Sequence, residues 1–273
     1  MQTLLILVMK IKIILLFFLF CTLVNAQEDI LPYYIGFELW PIHIPFLDTV
    51  KHKEFSLYKG LKIKEIIKIN DNNISRQVET INENGYPYLS SRYWGDKLEN
   101  QKWTGYNEQN IVTAFTERSR FTDGVLESGD TMKFIYEKNK PIKSFMGSQG
   151  NTITVEVIYD KEIPIGTKTI IETGAFKKNK VDELVYTGDT IIIRNKVNHE
   201  PSFELIKNGD KIIMTNGHTI KGTMYIENYK IIEEETKNWS TKYFYKENGL
   251  LDYSMQTVQG KETKFTYIYN YYD

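Results

Sequence analysis

One local unit recurs in this chain and narrows what it can become: an apolar, β-branched or aromatic run, a short polar turn, and a second such run. Phe203 to Ile206, Asn208-Gly209-Asp210 and Ile212 to Met214 form one instance. Leu184 to Tyr186, Thr187-Gly188-Asp189 and Thr190 to Arg194 form another, and Tyr243 to Tyr245, Asn248-Gly249 and Leu250 to Met255 a third. Asn-Gly supplies the positive φ angles of tight hairpin turns, so each unit reads as two antiparallel strands. Thr152-Ile153-Thr154-Val155-Glu156-Val157 alternates with period two, which places Ile153, Val155, Val157 and Tyr159 on one face. Phe265 to Tyr271 makes a final strand. Alanine, the best helix former, occurs after residue 26 only at Ala114 and Ala175.

The predicted fold is therefore mostly β: a large antiparallel sheet of successive hairpins, open, twisted or partly rolled, with few or no long helices. Asn107 to Phe121 fits a helix or a strand, and Ile231 to Lys237 fits a helical turn. No Pro/Gly linker divides the chain, so 61–273 reads as one hairpin domain and 27–60 as an irregular leader to it.

The first 26 residues carry the localisation signal. Met9-Lys10-Ile11-Lys12 precedes the uncharged run Ile13 to Val24, and Val24-Asn25-Ala26 supplies small residues for cleavage. This is the pattern of a signal peptide cut after Ala26, with Met9 as an alternative start. A lasting membrane anchor over Leu4 to Val24 is interrupted by Lys10 and Lys12. Lipoprotein processing at Cys21 would need a small residue where Phe20 stands. The expected product is secreted or periplasmic, with no stable membrane span after cleavage.

Cleavage removes Lys10, Lys12 and the only cysteine, leaving 32 basic against 35 acidic residues. The mature chain thus lacks thiol catalysis, cysteine metal sites and disulfides, and abundant Ile, Lys and Asn with few Arg fit a bacterial exported protein. A formal charge of -1 for the whole chain argues against nucleic acid as a partner.

The hairpin units are copies of a degenerate repeat, with turns recurring about every 20 residues in the last third. Tyr243-Phe244-Tyr245-Lys246-Glu247-Asn248-Gly249-Leu250-Leu251, followed by Gly260 and Phe265-Thr266-Tyr267, resembles the repeats of bacterial Rhs-type surface proteins and of MORN-like proteins. Lys246 stands where an aspartate is usual, and Gly249-Leu250 where Gly-Arg is usual. The resemblance implies an extracellular or periplasmic β-repeat shell or binding surface.

Catalytic patterns are missing. His43, His52, His199 and His218 do not form a zinc motif. Gly147-Ser148-Gln149-Gly150 lacks nucleophile-elbow spacing and reads as a turn. Asn70-Asp71-Asn72-Asn73 lacks the glycine and glutamate of a calcium loop. The chain has no phosphate loop, and no metal or cofactor is expected. Glu233-Glu234-Glu235 reads as a solvated edge or short helix face.

Trp40 to Asp48 with His43, His52 and Glu54 is the one local His/acid cluster, and a proline-stiffened packing segment explains it more simply. Tyr243 and Tyr245 share one strand parity, as do Phe265, Tyr267, Tyr269 and Tyr271. Such a ladder ordinarily stabilises a sheet. Exposed, it would make a platform for a glycan or peptide, with Tyr243, Tyr245, Tyr267 and Tyr269 as the contact residues.

The expected function is that of a non-catalytic envelope protein binding a protein or polysaccharide. The alternatives are a secreted hydrolase using carboxylates or His43/His52, and a periplasmic carrier of a lipid or other apolar ligand.

Overall fold

The computed structural model describes residues 32–35, 38–41, 45–108, 111–120, 126–138, 140–148, 151–161, 163–188, 190–198, 201–216 and 219–273. The proposed signal peptide, Met9, Cys21, His43, His199 and His218 lie outside the described residues.

A short hairpin of β1 (Pro32–Ile35) and β2 (Glu38–Pro41) leads to helix α1 (Pro45–Gly60). Strands β3 (Ile63–Asn70) to β20 (Lys261–Tyr271) then follow as an all-antiparallel series. Each strand pairs with its neighbours in sequence, as the hairpin pattern predicts. The turn at Gly209, with φ of 60°, joins β14 (Pro201–Asn208) to β15 (Lys211–Asn216).

The sheet is not open or partly rolled, as the sequence suggested. It closes: β20 pairs with β3 through Tyr267↔Lys68, Ile268↔Ile67 and Tyr269↔Ile66, completing an eighteen-strand barrel. Closure removes both free edges of the sheet. Hairpin periodicity marks only neighbouring strands, and this pairing joins the two ends of the domain. A barrel this wide leaves room inside that its wall side chains alone do not fill.

Two local readings also change. Ile231 to Lys237 is not a helical turn, since Lys230–Glu235 forms β17 and pairs with β16 (Thr219–Glu227) and β18 (Trp239–Tyr245). Asn107 to Phe121 resolves to a strand, β7 (Val112–Arg120). Within 27–60, the stretch read as irregular contains the sixteen-residue α1. Its proline occupies the first helical position, where the missing N–H costs nothing, and Lys59 sits in the last turn, where a cation suits the helix dipole. Val50, Glu54, Leu57, Tyr58 and Leu61 recur at helical spacing on one side.

Strand alternation separates two faces. Val155, Thr167, Asp182, Leu184, Ile193 and Leu205 share the inward parity through their cross-strand pairs and are buried. On the other parity, partly exposed ion pairs join Glu156 to Lys168 at 3.5 Å and Glu183 to Arg194 at 2.9 Å. Two buried clusters result. Leu184, Ile191, Ile193, Leu205 and Ile212 pack along β12 to β15, where β12 is Phe176–Thr187 and β13 Thr190–Asn195. Ile63, Ile66, Ile81 and Leu250 pack with Leu57, Tyr58 and Leu61, which docks α1 on the barrel.

Candidate functional site

Inside the barrel, α1 and the wall formed by β17 to β20, β3 and β4 (Ser75–Ile81) line a partly open cavity of about 710 Å³. Tyr243, Tyr245, Tyr267 and Tyr269 all line it, so the structure brings the four sequence-selected tyrosines together. The alternation explains their shared orientation. Tyr243 lies opposite Ser254 of β19 (Leu251–Val258), which lies opposite Phe265, and Tyr267 and Tyr269 continue that parity. On the opposite parity, Phe244 and Ile268 are exposed.

The tyrosine hydroxyls are already engaged. Tyr243 donates to Glu234 Oε2, Tyr245 to the carbonyl of Ile231 and Tyr269 to the carbonyl of Leu251, each at 2.8 Å, while Tyr267 pairs with Ser254 Oγ at 3.3 Å. Two of these bonds belong to a recurring clasp. Tyr106 donates to Pro87 O and Tyr159 to Pro141 O in the same way, reaching from late in one strand to the start of the strand before. The repeat visible in the sequence therefore encodes a tyrosine clasp as well as a turn. These tyrosines are part scaffold, and their rings furnish the cavity wall.

Lys68, Gln77 and Glu79 add polar groups from β3 and β4, where Lys68 and Gln77 face one another across the pair. Gln77 Nε2 donates to Glu79 Oε1 at 2.9 Å. From α1, Glu54 lines the cavity and accepts a hydrogen bond from Tyr58. Glu54 is exposed by surface area although many protein atoms surround it, and part of its side chain lines the cavity.

The surrounding protein sets the electrostatics. Desolvation pushes the Glu54 carboxyl up, against the opposing pull of Tyr58 and Lys51. Glu79 is raised by desolvation and then by the charge of Glu54. Desolvation lowers Lys68, while Glu79 and Glu234 pull it back up. The Tyr267 hydroxyl is pushed up to about 12 by desolvation, with Glu79, Glu234 and Glu54 adding to the rise. Lys53 lies over the Tyr229 ring at 3.1 Å and Lys230 over the Tyr245 ring at 4.9 Å, so both cations border the cavity.

Sequence reading passed over Lys68, Gln77 and Glu79, and it noted Glu54 only as part of the His43/His52 cluster. Their parity was legible, but their meeting with the tyrosines depends on closure. Glu233-Glu234-Glu235 is neither a helix face nor a plain solvated edge, because Tyr243 bonds Glu234 and Tyr225 bonds Glu235 at 2.8 Å. His52 lies on α1, and no cluster of metal-ligating side chains occurs among the described residues. No helix among them is long and apolar enough to cross a membrane, which leaves spanning by strands as a separate question.

No family model matches the chain, and no curated protein does. A solved structure similar to it is a porin-like protein from Bacteroides uniformis ATCC 8492, at 11% identity and a TM-score of 0.41. The match covers 77% of this chain and 97% of that one. A likeness at this level carries nothing about function.

Proposed function

We propose that this chain is an exported, non-catalytic cell-envelope barrel that holds a small ligand in the cavity beneath α1. The observation that carries this reading is the convergence of Tyr243, Tyr245, Tyr267 and Tyr269 on one partly open space of about 710 Å³. Pockets that bury small ligands typically span about 300–1,000 Å³ and combine aromatic walls with a few placed polar groups. The signal pattern ending at Ala26 supports export, with work in the periplasm or outside the cell. The ligand would be a free small molecule or an end presented by a polysaccharide or protein partner.

A second reading has one specific observation in its favour: Glu54 and Glu79 converge in the cavity, as a carboxylate hydrolase requires. Glycoside hydrolysis needs one carboxyl kept protonated and another ionised. Desolvation raises both, and the charge of Glu54 raises Glu79 further. The four-tyrosine wall is the larger feature of the cavity and favours binding.

A thermal-shift screen of chain 27–273 against sugars, amines, peptides and fatty acids tests the leading reading. The expected result is at least one stabilising compound whose effect disappears in Tyr267→Ala. Compounds that stabilise both forms equally, or none at all, would overturn it. Turnover of fluorogenic glycosides that is lost in Glu54→Gln would establish the second reading instead.

A further inference from the structure

If the cavity holds a ligand as proposed above, its lining narrows the chemistry of the occupant. Lys68 lies opposite Tyr267, and Gln77 and Glu79 continue the same wall on the next strand. A hydrocarbon chain would take water from an ammonium, an amide and a carboxylate and return no hydrogen bond. Charge does not favour an ionic ligand either. An anion would meet Glu54 and Glu79, whereas a cation would meet Lys68, with Lys53 and Lys230 at the border.

A polyhydroxylated ring satisfies both signs, since each hydroxyl can accept from the Lys68 ammonium and donate to a carboxylate or to the Gln77 amide oxygen. The Gln77 Nε2 is already bonded to Glu79 and, at 3.1 Å, to Ser90 Oγ. The C–H face of such a ring also matches a tyrosine wall, which offers flat area at small entropic cost. That wall is set before any ligand arrives, because Tyr243, Tyr245 and Tyr269 are fixed through their hydroxyls at 2.8 Å. Preorganisation of this kind reduces the ordering cost of binding. Length is limited too, because α1 forms one side of the space through Val50, Glu54, Leu57 and Tyr58.

We infer that the cavity is a saccharide site that takes a short glycan or the end of a longer one. The tyrosine rings stack on sugar rings, and Lys68, Gln77 and Glu79 read the hydroxyls. This rests on the ligand-holding reading and adds the class of ligand to it.

The test is calorimetric titration of chain 27–273 with mono- to trisaccharides of glucose, galactose, mannose and N-acetylglucosamine, and in parallel with a long-chain fatty acid. At least one saccharide is expected to bind, tenfold or more weaker in Gln77→Ala and undetectably in Tyr267→Ala. Tyr253→Ala, on the opposite face of β19, should change nothing. Gln77→Ala keeps every ring and serves if Tyr267→Ala does not fold. Fatty-acid binding without saccharide binding would overturn the saccharide class and leave the ligand reading standing. Binding of neither would overturn both, and saccharide binding unchanged in Gln77→Ala and Tyr267→Ala would overturn this site.

Discussion

Gly85 sits so close to α1 that a Cβ there would fall inside van der Waals contact with the carbonyl oxygen of Phe55. Its φ of +88° is also one that other residues adopt only with strain. The turn before β5 (Pro87–Trp94) therefore fits against the helix backbone itself, with Phe55 and Tyr86 in ring contact at 4.8 Å. Gly85→Ala should cost about 2–4 kcal/mol, from left-handed strain and overpacking together. Gly95→Ala, where φ is +57° and nothing lies within 4 Å, should cost only about 1 kcal/mol. Urea denaturation of the two variants checks the difference, and proteolysis within 45–62 should rise only for Gly85→Ala.

The clasps predict a separation between stability and binding. Tyr269→Phe removes the donor to Leu251 O but keeps the ring in the cavity wall. It should lower stability by about 1 kcal/mol, the net value of a typical hydrogen bond, and leave ligand affinity nearly unchanged. Tyr269→Ala should lower both. Equal losses of affinity in the two variants would show that the hydroxyl, not the ring, meets the ligand.

Hairpins, strand parity and the tyrosine group were legible in the sequence because each depends on residues close in the chain. Alternation from Phe265 to Tyr271 is enough to place Tyr267 and Tyr269 together. Closure was not legible, because Tyr267↔Lys68 joins residues nearly the whole domain apart. Lys68 looked like an ordinary strand charge until that pairing set it opposite Tyr267, with Glu79 one strand further along the same wall. Helix α1 was missed because its apolar positions are few and interspersed with Lys51, Lys53 and Glu54. Its helical state is supported by the Ile63, Ile66, Ile81 and Leu250 cluster on which it docks.

The cavity carboxyls make stability depend on pH in a stated direction. Glu54 and Glu79 have folded values above 4.5, so the folded chain binds more protons than the unfolded chain between 4.5 and those raised values. Their contribution is fully present below 4.5 and is lost as pH rises through the folded values. Glu79→Gln should therefore flatten the fall in stability from mildly acidic to neutral pH. Urea midpoints across this range, wild type against variant, give the comparison, and parallel curves would contradict it.

Ion pairs on the outer parity predict how the wall meets its surroundings. Lysine or arginine on a lipid-facing barrel surface costs about 2–4 kcal/mol at the bilayer midplane, yet Lys168 and Arg194 occupy that parity beside Glu156 and Glu183. The stretch of wall around these pairs should therefore meet water, while Ile135, Ile158 and Ile268, exposed on the same parity, should take up detergent. Exposed pairs add little themselves, so Arg194→Ala should cost no more than about 1 kcal/mol. Size-exclusion chromatography with and without detergent, together with denaturation of Arg194→Ala, tests both statements.

The most direct measurement of the central claim is mass spectrometry of the chain purified gently from its own cell envelope, native first and then denatured. A ligand-holding cavity predicts a bound small molecule that is released on denaturation and missing from Tyr267→Ala prepared identically. The same mass native and denatured, even after incubation with envelope extract, would contradict the account and leave the tyrosines as scaffold alone.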